Sequence, residues 1–138
     1  MRIHHVGYLT KNMESSKTEF QKLGFVLEQD VKYDPHRKID IAFLQNGEYR
    51  IELIEPKGIE SPLYPLLKRY KNTPYHFCYT TTEMDSEIAR LEQNDYRVIQ
   101  EPLEAPCLGD AAVVFLMHPD VGIIELVEMN CNQICDED

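Results

Sequence analysis

A match of the chain to itself constrains its fold more than any other feature. The segment His5-Val6-Gly7-Tyr8-Leu9-Thr10 aligns with His76-Phe77-Cys78-Tyr79-Thr80-Thr81 at an offset of 71 residues (76 − 5). The same offset, without a gap, pairs Met13 with Met84, Phe20 with Leu91 and Phe25 with Tyr96. Farther along, Ile51-Glu52-Leu53-Ile54-Glu55 matches Ile124-Glu125-Leu126-Val127-Glu128 at an offset of 73 (125 − 52). That change needs only a small length difference in the intervening loops. Each half is too long to be a solenoid unit, so two copies point to a duplicated module.

Both halves carry the same order of elements. Residues 3–9 alternate and are rich in β-formers, which predicts a strand. Asn12 can cap a helix running to about Leu23, with Met13, Phe20 and Leu23 on its apolar side and Gly24 ending it. Strands are expected at 25–32, 38–45 and 49–55, with Asn46-Gly47 as the turn between the last two. The second half repeats this as a strand at 75–81, a helix at 84–94 and strands at 96–101, 111–117 and 122–128. Between them Ser61 is expected to cap a connecting helix at about 61–71, with Pro62 at its first position and Pro74 blocking its continuation. The expected fold is α+β, a βαβββ module occurring twice, in one domain over 1–130. The modules would cover 1–58 and 73–129, leaving a frayed acidic tail at 131–138.

Strand periodicity sorts the polar side chains. In the first strand Val6 and Tyr8 share one face while His5 and Gly7 share the other, and Phe77 and Tyr79 likewise oppose His76 and Cys78. In the fourth strand of each half, Ile51 and Leu53 oppose Glu52, and Ile124 and Leu126 oppose Glu125. If the bulky apolar residues pack under the helices, His5, Glu52, His76 and Glu125 occupy the opposite face, where a pseudo-twofold axis would bring them to one point. A lone strand histidine or glutamate is usually a hydrogen-bonded core residue or a solvated one. Here both residue types recur at corresponding positions of both repeats, which favours a metal site. Imidazole nitrogen and carboxylate oxygen suit one divalent Zn, Ni, Co, Mn or Fe ion.

Composition excludes several other classes. With 14 basic and 24 acidic residues the net charge is −10, so nucleic acid is not an expected partner. The densest basic stretch, Lys68-Arg69-Tyr70-Lys71, is the solvated end of a helix that could also meet an anionic substrate. No apolar run approaches the roughly 20 residues needed to span a bilayer, and no signal-peptide pattern opens the chain, so a cytoplasmic protein is expected. Cys78, Cys107, Cys131 and Cys135 form no pair of CxxC motifs and are expected to be reduced. Cys131 and Cys135 could also bind metal adventitiously or form a disulfide in the tail.

Over about residues 3–128 the sequence resembles the vicinal oxygen chelate superfamily of glyoxalases, epimerases, extradiol dioxygenases and bleomycin-resistance proteins. The resemblance is nearest to the methylmalonyl-CoA epimerase and glyoxalase-like branch. It is carried by His4-His5-Val6-Gly7, Glu52-Leu53-Ile54-Glu55-Pro56, Ser61-Pro62-Leu63, Tyr75-His76-Phe77-Cys78, Phe115-Leu116-Met117-His118-Pro119 and Gly122-Ile123-Ile124-Glu125-Leu126. It implies a cupped, partly closed sheet with helices outside, and His5, Glu52, His76 and Glu125 as metal ligands. It also implies a metal-dependent isomerase or lyase that moves a proton next to a carbonyl or acyl thioester, with a homodimer as the expected assembly. Glu125 would be both ligand and base.

An epimerase needs a second acid/base group on the other face of the reacting carbon. The nearest alignment places His36 there, with Asp34 as the neighbouring alternative, although Asp34-Pro35-His36-Arg37-Lys38 does not copy the epimerase pattern. His118 is open between a pocket role and a turn role before Pro119. The reading from another class is a metal-free, ligand-sequestering protein of the bleomycin-resistance type, which would lack the full ligand set. An extradiol dioxygenase would use two histidines and one carboxylate, a poorer match to four candidate ligands.

Overall fold

The computed structural model describes residues 1–135, and of Ile134 and Cys135 the backbone alone. The chain divides into two compact units, His5–Tyr75 and His76 onward, the latter including Met1–His4. Each holds one βαβββ module, and the fold is α+β. In the first, β1 (Arg2–Leu9) leads into α1 (Met13–Lys22), followed by β2 (Val26–Asp34), β3 (Ile39–Asn46), β4 (Tyr49–Pro56) and α2 (Tyr64–Tyr70). In the second, β5 (Thr73–Thr81) leads into α3 (Met84–Glu92), followed by β6 (Arg97–Ala105), β7 (Ala111–His118), β8 (Gly122–Glu128) and α4 (Cys131–Cys135). A 3-10 turn at Pro106–Leu108 precedes β7.

The strand order in the first module is β2-β3-β4-β1. The first and last strands pair in parallel, Val6 opposite Ile51 and Gly7 opposite Glu52, while β2, β3 and β4 form an antiparallel meander. The second module repeats the order as β5-β8-β7-β6, with Cys78 opposite Glu125 in the parallel pair. The repetition extends to irregularities. Register shifts fall between Leu27 and Lys32 in β2, and between Val98 and Leu103 in β6. Gly24 ends the first helix at φ 101°, and Asp95 takes the same left-handed place at φ 70°. Aspartate tolerates that conformation better than most side chains.

Helix packing decides which sheet face becomes core. Asn12 caps α1 by accepting from the Ser15 N–H at 3.1 Å. Met13 packs with Ala42, Leu44 and Leu53, and Tyr8, Phe20, Phe25, Leu27 and Ile51 fill in around them. The equivalent cluster of the second module is Met84, Leu91, Val114, Leu116, Ile124 and Leu126. Both clusters take the apolar face of the fourth strand, leaving Glu52 and Glu125 on the other.

Several sequence expectations need correction. Leu23 is 71% exposed, because it is the C-cap of α1 and no longer follows the helical stripe. Phe77 is 46% exposed and is not core. The connecting helix begins at Tyr64 after an uncapped Leu63, and the proline in its first turn is Pro65 rather than Pro62. Ser61 lies ahead of the helix, its hydroxyl donating to the Arg37 carbonyl at 2.8 Å and accepting from the Leu63 N–H at 3.3 Å. The two-residue hairpin loop is Gly47-Glu48, flanked by the paired Asn46 and Tyr49, with Gly47 at φ 60°. The expected frayed tail begins as α4, capped reciprocally by Asn130 and Gln133 at 2.8 Å in each direction. The acidic end itself and the Cys135 thiol lie outside the described residues.

Candidate metal centre and its surroundings

His5 lies on β1 and Glu52 on β4, where parallel register sets Glu52 opposite Gly7. From there the Glu52 carboxylate reaches back toward the imidazole two residues before Gly7. Nε2 of His5 and Oε1 of Glu52 are 3.5 Å apart, with side chains 0% and 6% exposed. The second module builds the same pair from β5 and β8: Nε2 of His76 and Oε1 of Glu125 are 3.4 Å apart, at 0% and 5% exposure. Each imidazole is braced edge-on by an aromatic ring from the third strand of its module. Phe43 stands 5.5 Å from His5 at 75°, and Phe115 stands 5.3 Å from His76 at 88°. Those rings are the cross-strand neighbours of Glu52 and Glu125.

The spacing is informative. A good N–H···O hydrogen bond has its heavy atoms about 2.9 Å apart, so both pairs are long for that purpose. Two ligands each about 2.1 Å from one ion, at a tetrahedral angle, lie about 3.4 Å apart. Imidazole and carboxylate, buried and held at that separation, fit a divalent cation. An ion bound at either pair would also offset the cost of burying its carboxylate.

His36 occupies the turn between β2 and β3, where it is exposed. Its neighbour Asp34 is buried and accepts from the N–H of His36 at 2.8 Å, the N–H of Arg37 at 3.3 Å and the Arg37 guanidinium at 2.7 Å. Sequence reasoning weighed Asp34 only as a proton carrier and missed its bonding role; an Asp two residues before a polar turn position is the Asx-turn signal that points to it. His118 resolves to a turn role, its Nδ1 accepting from the N–H of Asp120 at 3.1 Å and its ring 4.8 Å from Tyr96. The basic segment Lys68–Lys71 ends α2 as expected, with Lys68 and Arg69 in the last turn. Cys78 and Cys107 are buried cysteines outside any disulfide, and Cys131 is an exposed one. Among the described residues, no helix is long and apolar enough to cross a membrane.

Comparison with known proteins places the chain in a family. The bovine (Bos taurus) mitochondrial methylmalonyl-CoA epimerase is 25% identical over 130 residues, covering 93% of this chain and 73% of the relative. A hypothetical protein of Bacillus halodurans C-125 superposes with a TM-score of 0.82 at 25% identity, over 94% of both chains. The methylmalonyl-CoA epimerase of Mycobacterium tuberculosis superposes with a TM-score of 0.79 at 19% identity, over 97% of this chain and 91% of that one. A Streptomyces coelicolor methylmalonyl-CoA epimerase, solved in complex with 2-nitronate-propionyl-CoA, gives a TM-score of 0.78 at 18% identity, over 95% of this chain and 96% of that one. The family model for the glyoxalase/bleomycin resistance protein/dioxygenase superfamily matches residues 4–120, and the chain belongs to that superfamily.

Proposed function

We propose that the protein is a divalent-metal-dependent epimerase acting at the carbon next to an acyl thioester, with a methylmalonyl-CoA-like substrate. The observation that carries this reading is the repeated His–Glu pair, buried in both modules with its donor atoms 3.4–3.5 Å apart. His5, Glu52, His76 and Glu125 would together hold one cation, and two ionised carboxylates would balance its charge. When bound, the cation supplies positive charge to substrate oxygens, favouring the negative charge that builds on the thioester carbonyl. The likeness to the bovine epimerase along most of the chain supports the substrate class.

In this mechanism Glu125 takes the proton from the α-carbon, and the C–H electron pair moves into the thioester as an enolate. His36 returns a proton to the opposite face, which inverts the centre. A metal-free sequestering protein would have no use for both pairs, and their presence favours the enzyme.

The test is to incubate metal-loaded protein with one stereoisomer of methylmalonyl-CoA in D2O. Inversion with deuterium at the α-carbon, abolished by chelation and restored by metal, is expected. No turnover of methylmalonyl-CoA, with lyase turnover of the hemithioacetal of methylglyoxal instead, would replace this reading by a glyoxalase one.

A further inference from the structure

The turn that carries His36 is built at unusual expense for an exposed loop. Asp34 and Arg37 are both buried, and their side chains pair at 2.7 Å. Asp34 also accepts from the two backbone N–H groups that follow Pro35. The far side of the turn is fastened to the segment after β4. Ser61, itself buried, donates its hydroxyl to the Arg37 carbonyl at 2.8 Å, and the Lys57 N–H donates to the Lys38 carbonyl at 2.9 Å. The Lys38 ammonium meets Glu60 at 3.0 Å, and Lys38 is held at φ 54°, which a lysine seldom adopts.

Register gives this clamp a direction. Asp34 pairs directly with Ile39, and Ile39, Ile41 and Phe43 alternate onto one face of β3. Phe43 is the ring against His5 and the partner of Glu52, so Asp34 stands on the face that bears the His5–Glu52 pair. A flexible turn would suffice merely to join two strands. Burying two charges and holding a lysine in the left-handed region both cost stability, and such features mark a backbone position that is held in place.

We infer that Asp34 is a positioning residue: with Arg37 and Ser61 it fixes the turn so that the His36 imidazole is presented at one place for proton delivery. The inference rests on the epimerase reading and deepens it. The step it serves balances simply. The α-C–H bond breaks with its proton going to Glu125 and its electron pair to the enolate; a new α-C–H bond then forms with a proton from His36 on the opposite face. Without a positioned His36, Glu125 can still return a solvent-exchanged deuteron to the face it came from. Exchange then survives with retention, and inversion is lost.

The experiment follows inversion and α-deuterium wash-in separately, using metal-loaded full-length protein and each stereoisomer of methylmalonyl-CoA in D2O. Asp34→Ala should lower inversion roughly tenfold or more, on the scale of general acid–base effects. Wash-in with retention should stay within about threefold of the parent for the isomer that Glu125 deprotonates, and fall for the other, as a ratio on that same scale. In a His36→Ala background, Asp34→Ala should add no further loss of inversion, because the two act through one group. Should Asp34→Ala fail to fold, Ser61→Ala removes the latch on the Arg37 carbonyl, together with a longer 3.3 Å bond from the Leu63 N–H, and should show the same asymmetry at roughly a threefold loss, in keeping with the loss of the shorter hydrogen bond. Parent-like inversion in a folded Asp34→Ala or Ser61→Ala protein, an equal loss of wash-in for both isomers, or additivity with His36→Ala overturns the inference while the epimerase reading stands. A parent that neither inverts nor exchanges methylmalonyl-CoA overturns both.

Discussion

The backbone N–H of Met13 donates to Oε1 of Glu55 at 2.9 Å, tying the first turn of α1 to β4. A helix begins with N–H groups that its own carbonyls cannot satisfy, and a carboxylate there meets both the hydrogen bond and the helix dipole. The second module uses the same device, with the Met84 N–H donating to Oε2 of Glu128 at 2.9 Å. Glu55→Ala and Glu128→Ala should therefore each cost about 1 kcal/mol of stability, the typical worth of a helix cap. Urea unfolding measures it, and Glu55→Gln should recover part of the loss because its amide oxygen can still accept.

Much of the fold was legible because duplication writes each element twice. Alternation in β1 and β4 separated His5 and Glu52 from the residues that pack on α1, and the recurrence at His76 and Glu125 made the pairing visible. The capping role of Glu55 and Glu128 escaped, although both sit in the repeated segments, because a strand-end glutamate reads as solvated until the helix it faces is known. Leu23 and Phe77 were misassigned because periodicity reports which face a residue takes, not what covers it. Ser61-Pro62 has the form of a helix start, yet the Ser61 hydroxyl closes a turn on the Leu63 N–H and the helix begins only at Tyr64. The clamp around His36 was illegible because it joins segments distant in sequence through a side chain and a carbonyl.

A charged pair ties α1 to β2, Lys17 lying 2.8 Å from Asp30. The hydrogen bond it donates to Asp30 raises the Lys17 ammonium above its ordinary 10.5, and the same bond lowers the Asp30 carboxyl below 3.8. The stabilising contribution is thus present between those values. It fades as pH falls through the depressed value of Asp30, and again as pH rises through the elevated value of Lys17. Thermal unfolding of Lys17→Met should show a lower midpoint than the parent at pH 7, with the gap closing as pH falls below the ordinary carboxylate value of 3.8 and through the depressed value of Asp30. A gap unchanged at acid pH would mean that the lysine stem, not its charge, does the stabilising.

Glu125→Gln keeps shape and an oxygen donor but removes the basic carboxylate. Assayed at matched metal content, it should bind methylmalonyl-CoA yet lose roughly a hundredfold or more in turnover, the usual scale for a general base. Deuterium wash-in at the α-carbon should fall with it. Parent-like exchange in the metal-loaded variant would assign the first proton transfer to another residue, with His36 the first to examine.

The most direct test of the account is metal content. Protein purified without added metal and then equilibrated separately with Zn, Co, Ni, Mn or Fe salts should, after desalting, retain about one divalent ion per chain for at least one of them, as a buried N/O donor set allows. Glu52→Ala and His76→Ala should each retain markedly less while keeping the parent's circular dichroism spectrum. A parent that retains no ion, or two variants that retain as much as the parent, would contradict the assignment of His5, Glu52, His76 and Glu125 as one metal centre.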